Sequence, residues 1–568
     1  MITKKIIKVL FLLAIPLFLY VAFLPVMPLM EPDEARYGDI PSLMNRSGDY
    51  VTPRLDHVTY LEKPPLCYWV TALFYKMFGE NEFSSRLFAA LCAWGCILLV
   101  YAMGAFFHDE KTGLYSAGVL STFLYHSVLG RMNGLDIPLT FFVCLATWAG
   151  YRHLVGKETR SGWIYLLYLA SALAFLTKGL IGIVLPFAIL ALWLFIVKRW
   201  RDSLRLFSPL GIILFLTVSC PWVFLVQKAN EDFLWFFFIR EHFLRYTTTL
   251  HGRNHLFLLY IPVVVLGSLP WSAFLVRAVR ERRKGVPLFK TDDKRFLQVW
   301  GLFIFVFFSI SSSKLVTYIA PVFLPLAVFL GHLFRLYEDE TVVPGNGLGG
   351  KLLSHLPVAL QSLLFITLLL LPPFLKNMEL GSDLIIVPSQ KWWLLIFLPI
   401  LLQAAILFLP DWVKRRWKRG WFMTTYLLSA LFLGSLVFPM AEFLTPYKTT
   451  YPITQAVKTF LPANQTLYQY DVSLYGIDFY RKIRTPMVQY NGELRFGIKE
   501  LSPEERSYYF PSAEDFYKLC KKKDEIYCVT KNRRRFDLLK GKVPNTEVLW
   551  ENGVFYLLRL HGNSTQRE

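Results

Sequence analysis

The residues able to do chemistry fall in a few short clusters, and the sharpest is Glu31-Pro32-Asp33-Glu34-Ala35-Arg36-Tyr37. Asp33 and Glu34 are adjacent carboxylates behind a proline. A positioned carboxylate suits a general base or a group that orients a polar substrate. The same acids also suit the first turn of a helix, where the dipole favours negative charge. Tyr60-Leu61-Glu62-Lys63-Pro64-Pro65 follows. Lys63 is either a point charge for a phosphate, stiffened by two prolines, or a surface lysine in a turn. Asp136 opens an apolar run after Arg131-Met132-Asn133. It is either a helix cap or an acid kept at a membrane face for a purpose. Glu241, His242 and Arg245, with His251, Arg253 and His255 beyond, form a mainly basic group that favours an anion. Glu62 with His242 is a candidate pair for a divalent metal (zinc or magnesium), although the spacing is not that of a defined zinc site. Lys314 and Tyr318 are four apart and share a face if a helix continues through them; otherwise they are a snorkelling lysine and an interfacial tyrosine. Acids and cations gathered beside a membrane suit a group transfer whose donor carries a lipid phosphate. The cations would hold the departing phosphate while a carboxylate orients the acceptor or takes its proton.

The elements that must position these groups are membrane helices. Of 568 residues, 54% are hydrophobic and only 18% charged, against about 25% charged in soluble domains. The apolar residues fall in blocks near the length that crosses a hydrocarbon core. These run about 6–29, 85–107, 113–130, 137–152, 162–177, 179–197, 206–227, 256–276, 297–312, 315–334, 352–375, 392–413 and 421–441. The first block follows Lys4 and Lys5, as in a signal peptide, but is too long for one and lacks a small-residue cleavage site before Glu31. It reads as a retained helix with its N-terminus inside.

The formal charge of +20 suggests nucleic acid in a soluble protein, yet no nucleic-acid motif accompanies it. The basic residues instead cluster in alternate loops, as at Lys198–Arg205, Arg277–Arg295 and Lys414–Arg419. That is the pattern of a cytoplasmic side, and it agrees with thirteen spans. Two outside segments, 31–84 and 228–255, are long enough to be functional. Within the first, Trp69–Phe78 reads as an amphipathic stretch lying on the membrane. VVPGNGLGG (342–350) reads as a linker between a core, 1–341, and three late spans within 342–444. From 445 to 568 short β-like runs (Thr466–Tyr470, Glu525–Thr530, Gly553–Leu560) replace membrane-length blocks, predicting a small α/β domain outside the membrane. Its Cys520 and Cys528 are available for pairing in an oxidising compartment. The expected fold is an all-α polytopic membrane protein with that domain at its C-terminus. A transporter of lipid-linked sugars is the rival reading, but it would place ionisable residues in mid-span, and these positions are almost free of charge.

EPDEARY, SGDYVTPRLDHVTYLEKPPLCYW, GLDIPLTFF, EHFLRY, LPWSAFL and SKLVTYIAPVFLPLA, in that order, resemble the lipid A 4-amino-4-deoxy-L-arabinose transferases. These are membrane glycosyltransferases of the GT-C fold, related more distantly to protein O-mannosyltransferases. The resemblance covers about 5–335. It implies transfer of a sugar from undecaprenyl phosphate, at the periplasmic face of the bacterial inner membrane, to lipid A or to another glycan or protein acceptor. It assigns Asp33 and Asp136 to the acidic sites, Lys63 to the carrier phosphate with Arg245 and Tyr318 joining it, and Glu62 and His242 to a metal. Asp33 would position the sugar if the acceptor is a phosphate, and act as base if it is a hydroxyl.

Overall fold

The computed structural model describes residues 2–156, 162–244, 257–274, 291–338, 348–374, 379–380, 383–384, 390–416, 420–490 and 492–562. The linker 342–350 and most of the basic loop 277–295 lie largely outside these residues. The structure is mostly helical, and each apolar block contains helix. By length and composition five helical stretches could cross a membrane unaided: Glu82–Phe107, Pro209–Ala229, Val316–Leu336, Lys391–Pro410 and Trp421–Lys448. Other blocks are divided. The block 113–130 breaks between Glu110–Ser121 and Leu124–Leu129, and 256–276 breaks after Tyr260–Gly267 at Leu269-Pro270. Proline lacks the N–H that would continue the helical ladder. Helices Pro209–Ala229 and Lys391–Arg416 leave Phe224, Leu394 and Phe408 at least 70% exposed, a surface suited to lipid tails rather than water.

Segment 31–84 folds into helix Asp33–Ser47, a short hairpin (Arg54–Leu55 with Val58–Thr59) and helix Leu66–Phe78. The last buries Tyr68, Ala72 and Tyr75 while exposing Leu73, Met77 and Phe78, the amphipathic division expected of this stretch. Helix Asp33–Ser47 is fixed from beneath. Arg86, in helix Glu82–Phe107, spends all five N–H groups: on Glu34 from Nε (2.8 Å) and Nη2 (2.7 Å), and on the carbonyls of Leu24, Met27 and Pro28. Glu34 Oε1 also accepts the backbone N–H of Asn133 at 2.7 Å.

The last apolar helix runs to Lys448, past the boundary expected at 445. Beyond it lies a five-stranded sheet ordered Met487–Val488, Leu467–Tyr470, Glu525–Lys531, Phe555–His561, Thr546–Glu551. The first two pairings are parallel and the last two antiparallel. In the central strand Ile526 and Cys528 face a cluster with Phe516 and Phe536, while Tyr527 and Val529 face Ile453 and Val457. Helices therefore cover both faces, as such a strand requires. Cys520 and Cys528 are buried free thiols, not a disulfide; Cys528 lies in the strand and Cys520 in the helix packed over it.

This sheet unit does not stand apart from segment 31–84. Leu29, Ile40, Val58 and Tyr60 share one core with Tyr475, Phe479, Met487 and Leu494. Glu31 Oε1 accepts Gly476 N–H at 2.6 Å, and Arg484 bonds both oxygens of Asp39 at 3.1 Å. Asp39, Asp56 and Asp478 are buried around Arg484, and burial raises all three above the usual carboxylate range.

Two outcomes follow from this packing. Glu34→Ala strands a buried guanidinium and should cost about 3–5 kcal/mol, read as a fall in thermal midpoint in detergent. Burial also raises Glu31 from 4.5 to about 8. A carboxyl with a raised folded pKa favours folding while protonated, so the seam should weaken as pH rises across that interval. Glu31→Gln should flatten part of that slope, leaving the share carried by Asp39, Asp56 and Asp478. A thermal-midpoint series across the same pH values checks it, and an unchanged slope counts against the seam.

Candidate functional site

Asp136 and Lys178 show how the helices set the site. Asp136 opens helix Asp136–Val155 and Lys178 closes helix Trp163–Lys178. The two helices pack against each other, so one N-terminus and one C-terminus lie side by side. Each charge sits at the helix end whose dipole favours it, and the two form an ion pair. Lys178 Nζ also lies 4.5 Å from the centre of the Tyr318 ring.

Glu62 and Lys63 enter from segment 31–84, just before Pro64-Pro65 and helix Leu66–Phe78. Lys63 is buried. Its ammonium donates to the Glu62 carbonyl at 3.0 Å and to Glu62 Oε2 at 3.4 Å, and lies 4.0 Å from Glu241 Oε2. Glu241 is carried by the π-helical segment Trp235–Leu244, a distortion that often marks functional positions. Together Glu62, Lys63, Asp136, Lys178, Glu241 and Tyr318 line a cleft of about 130 Å³ with Phe307, Phe308, Ser311 and Ser313. Two cations and three carboxylates thus face one space, with an aromatic hydroxyl beside them. Such a cleft can exchange its internal ion pairs for contacts to a phosphate and still keep a carboxylate for a polar partner.

The acidic motif stands next to this cleft rather than in it. Asp33 is 66% exposed and ion-paired to Arg36. Arg36 is buried, lies 5.0 and 5.6 Å from the ring centres of Tyr37 and Tyr60, and also pairs with Glu493 from the C-terminal unit. The Tyr60 hydroxyl donates to Glu62 Oε2 at 3.2 Å. Burial pushes the Tyr37 phenol up, and the charges of Asp33, Glu62 and Asp136 all add to that. The neighbouring Arg36 charge opposes that rise. Glu34, expected beside Asp33 as a catalytic acid, is committed instead to Arg86 and Asn133, with its side chain 1% exposed.

Lys314 is buried, donates to the Ser311 carbonyl at 2.7 Å and does not line the cleft. It shares no helical face with Tyr318, because Leu315 is extended and the short helix Val316–Val322 begins after it. Arg245 and the His242 side chain lie outside the described residues. Glu62 is engaged by Tyr60 and Lys63, and among the described residues no three His, Cys, Asp or Glu side chains group to hold a metal. Glu241 and Arg36 stood in the sequence clusters without a role of their own, and Lys178 and Glu493 were not singled out as site residues. Lys178 left a usable signal: it is the charged residue of a short turn two crossings after Asp136.

A family model described as dolichyl-phosphate-mannose-protein mannosyltransferase matches residues 62–224. The chain is 35% identical over 329 residues to an undecaprenyl phosphate-alpha-4-amino-4-deoxy-L-arabinose arabinosyl transferase of Pseudomonas aeruginosa. That alignment covers 56% of this chain and 58% of the relative. A second protein of that name, from Pseudomonas fluorescens, is 31% identical over 393 residues, covering 68% of this chain and 69% of the relative. Among solved structures, ArnT from Cupriavidus metallidurans bound to undecaprenyl phosphate superposes with a TM-score of 0.81 at 25% identity, covering 97% of both chains.

Glu493 ties the C-terminal unit to Arg36, and Glu500 of the same stretch accepts the Thr59 hydroxyl at 2.5 Å. Glu493→Gln should cost about 1 kcal/mol, because its carboxylate is partly exposed, and should speed amide exchange across 54–62. Exchange that rises only in 490–500 would count against the tie.

Proposed function

Because the chain belongs to the undecaprenyl phosphate-α-4-amino-4-deoxy-L-arabinose arabinosyl transferases, we propose that it transfers that amino sugar from undecaprenyl phosphate to lipid A or a related acceptor. The reaction lies at the periplasmic face of the bacterial inner membrane. The finer reading is a GT-C fold of about thirteen spans, a core at 1–341 and three late spans within 342–444, with a cytoplasmic N-terminus and a periplasmic C-terminal α/β unit. The observation that carries the function is the meeting of Lys63, Lys178, Asp136, Glu241 and Tyr318, from separated stretches, in one cleft.

The chemistry is displacement at the anomeric carbon. An acceptor oxygen forms the new bond to C1, the bond from C1 to the carrier phosphate oxygen breaks, and undecaprenyl phosphate leaves with the electron pair. Attack opposite the leaving group inverts C1. The leaving phosphate needs positive charge where negative charge grows, and Lys63 and Lys178 supply it. Arg245 joins them in this reading. Tyr318, beneath the Lys178 ammonium, holds that cation over the cleft. Asp33 orients the sugar through its ammonium, or takes the proton of a hydroxyl acceptor. Asp136 keeps Lys178 in place. Glu34 is a positioning residue that holds the Asp33 turn against Arg86. The match to protein mannosyltransferases over 62–224 supports a second reading, in which the acceptor is a protein hydroxyl.

The test uses full-length protein in nanodiscs, synthetic undecaprenyl-phosphate sugar, and lipid A or peptide acceptors, with products read by mass spectrometry. Lys63→Met and Lys178→Met should each lower kcat about a hundredfold while the protein still elutes as wild type. Asp33→Asn should lower turnover more with a hydroxyl acceptor than with a phosphate. Wild-type rates in both lysine variants would overturn the assignment. Orientation is checked separately: single cysteines placed at 200 and 458 should react with a membrane-impermeant maleimide on opposite faces.

A further inference from the structure

A second polar cavity, of about 360 Å³, lies where the acidic motif, the last membrane helix and the C-terminal unit meet. Its walls include Glu31, Lys448, Asp471, Tyr490, Lys531 and Arg535. Lys448 ends Trp421–Lys448, one of the stretches long enough to cross a membrane, so the cavity sits at the level of the membrane surface. Three cations reach it from three different elements: a membrane helix, the end of strand Glu525–Lys531 and helix Arg533–Lys542. Asp471 is balanced by Arg535 at 2.8 Å.

Glu31 differs from an ordinary acid here. Its Oε1 accepts Gly476 N–H and the Thr450 hydroxyl, while its buried Oε2 has no hydrogen-bond partner among the described residues. Burial raises this carboxyl to about 8, which disfavours a negative charge on this wall near neutral pH. The walls therefore set Lys448, Lys531 and Arg535 against Asp471, itself paired, and an acid whose burial disfavours charge, a balance that favours an anion. The volume is that of a small-molecule site rather than an ion site, and Tyr447 and Tyr490 add aromatic surface.

We propose that this cavity binds a phosphomonoester carried by a saccharide at the membrane surface, and that it seats the acceptor of the transfer. Glu31 is two residues from Asp33, so an acceptor held here stands beside the motif that would orient the reacting groups. The inference rests on the transferase reading for its role, but the binding can be measured without turnover.

The experiment uses the full-length protein in nanodiscs. Binding of bis-phosphorylated lipid A, of its enzymatically dephosphorylated form and of soluble glucosamine 1-phosphate is measured for wild type, Lys448→Gln, Lys531→Gln and Lys531→Arg. Each glutamine variant should bind the phosphorylated lipid about tenfold more weakly and the dephosphorylated form as wild type does, with Lys531→Arg keeping affinity. In turnover, the glutamine variants should raise KM for the phosphorylated acceptor and leave KM for the donor unmoved. Competition by the soluble sugar phosphate would mark the phosphomonoester itself as the ligand, and its failure would mark the lipid-borne form; either supports the site. Equal binding of phosphorylated and dephosphorylated lipid by wild type, or unchanged affinity in both glutamine variants, would overturn it. Lysine-dependent binding without any wild-type turnover would sink the transferase reading and leave the cavity standing.

Discussion

Glu34 and Arg86 form the contact on which the arrangement depends. The carboxylate takes two N–H groups from Arg86 and one from the backbone of Asn133. Three remote pieces of chain are thereby fixed to one another: the motif after the first helix, the helix Glu82–Phe107, and the turn that leads into Asp136. The pair is buried, so losing either partner leaves a charge without water or counter-charge. Arg86 also holds the carbonyls of Leu24, Met27 and Pro28, which helix Ile2–Val21 no longer claims once it has ended. One guanidinium thus satisfies the exit of the first helix and aims the next segment back toward Asp136.

The cleft then follows from helix direction. Antiparallel neighbours bring an N-terminus and a C-terminus to the same level, and acids and bases placed there are stabilised by opposite helix ends. Asp136 with Lys178 is that case. Lys63 needs a different support, because it lies on a loop. Its ammonium is held between Glu62 and Glu241, and Glu62 is held in turn by the Tyr60 hydroxyl. A phosphate entering this space meets cations already partly desolvated and oriented, so less ordering remains to be done on binding. The acids that hold the cations in its absence also limit how much net positive charge the buried walls must bear.

Some of this was legible in the residues and some was not, for reasons that can be stated. Membrane-length apolar blocks were plain because lipid contact demands them over a full span. Thr466–Tyr470, Glu525–Thr530 and Gly553–Leu560 were readable as strands, and the structure places strands at Leu467–Tyr470, Glu525–Lys531 and Phe555–His561. Glu62, Lys63, Asp136 and Tyr318, each a candidate from the sequence alone, line one cleft. Glu34 could not be told from Asp33, since adjacent acids on a helix differ only in which way they face, and that is set by Arg86. The spacing of Lys314 and Tyr318 misled, because four residues mean one face only where a helix actually runs, and here the chain is extended at Leu315. Glu493 was beyond reach: it meets Arg36 across 457 positions, and no local pattern records a partner that distant.

The C-terminal unit follows a physical logic of its own. Its sheet buries both faces, so it has a core that needs no membrane. Yet Tyr475, Phe479, Met487 and Leu494 complete the core of segment 31–84, and Glu493 pairs with Arg36. A helix, a two-residue-per-strand hairpin and an amphipathic helix bury too little surface to stand alone in water. They are held from below by Arg86 and from above by this unit. The sheet domain therefore acts as the upper half of a mould. Its shape sets how Asp33, Arg36 and Tyr60 are presented to the cleft, even though none of its described residues lines that cleft.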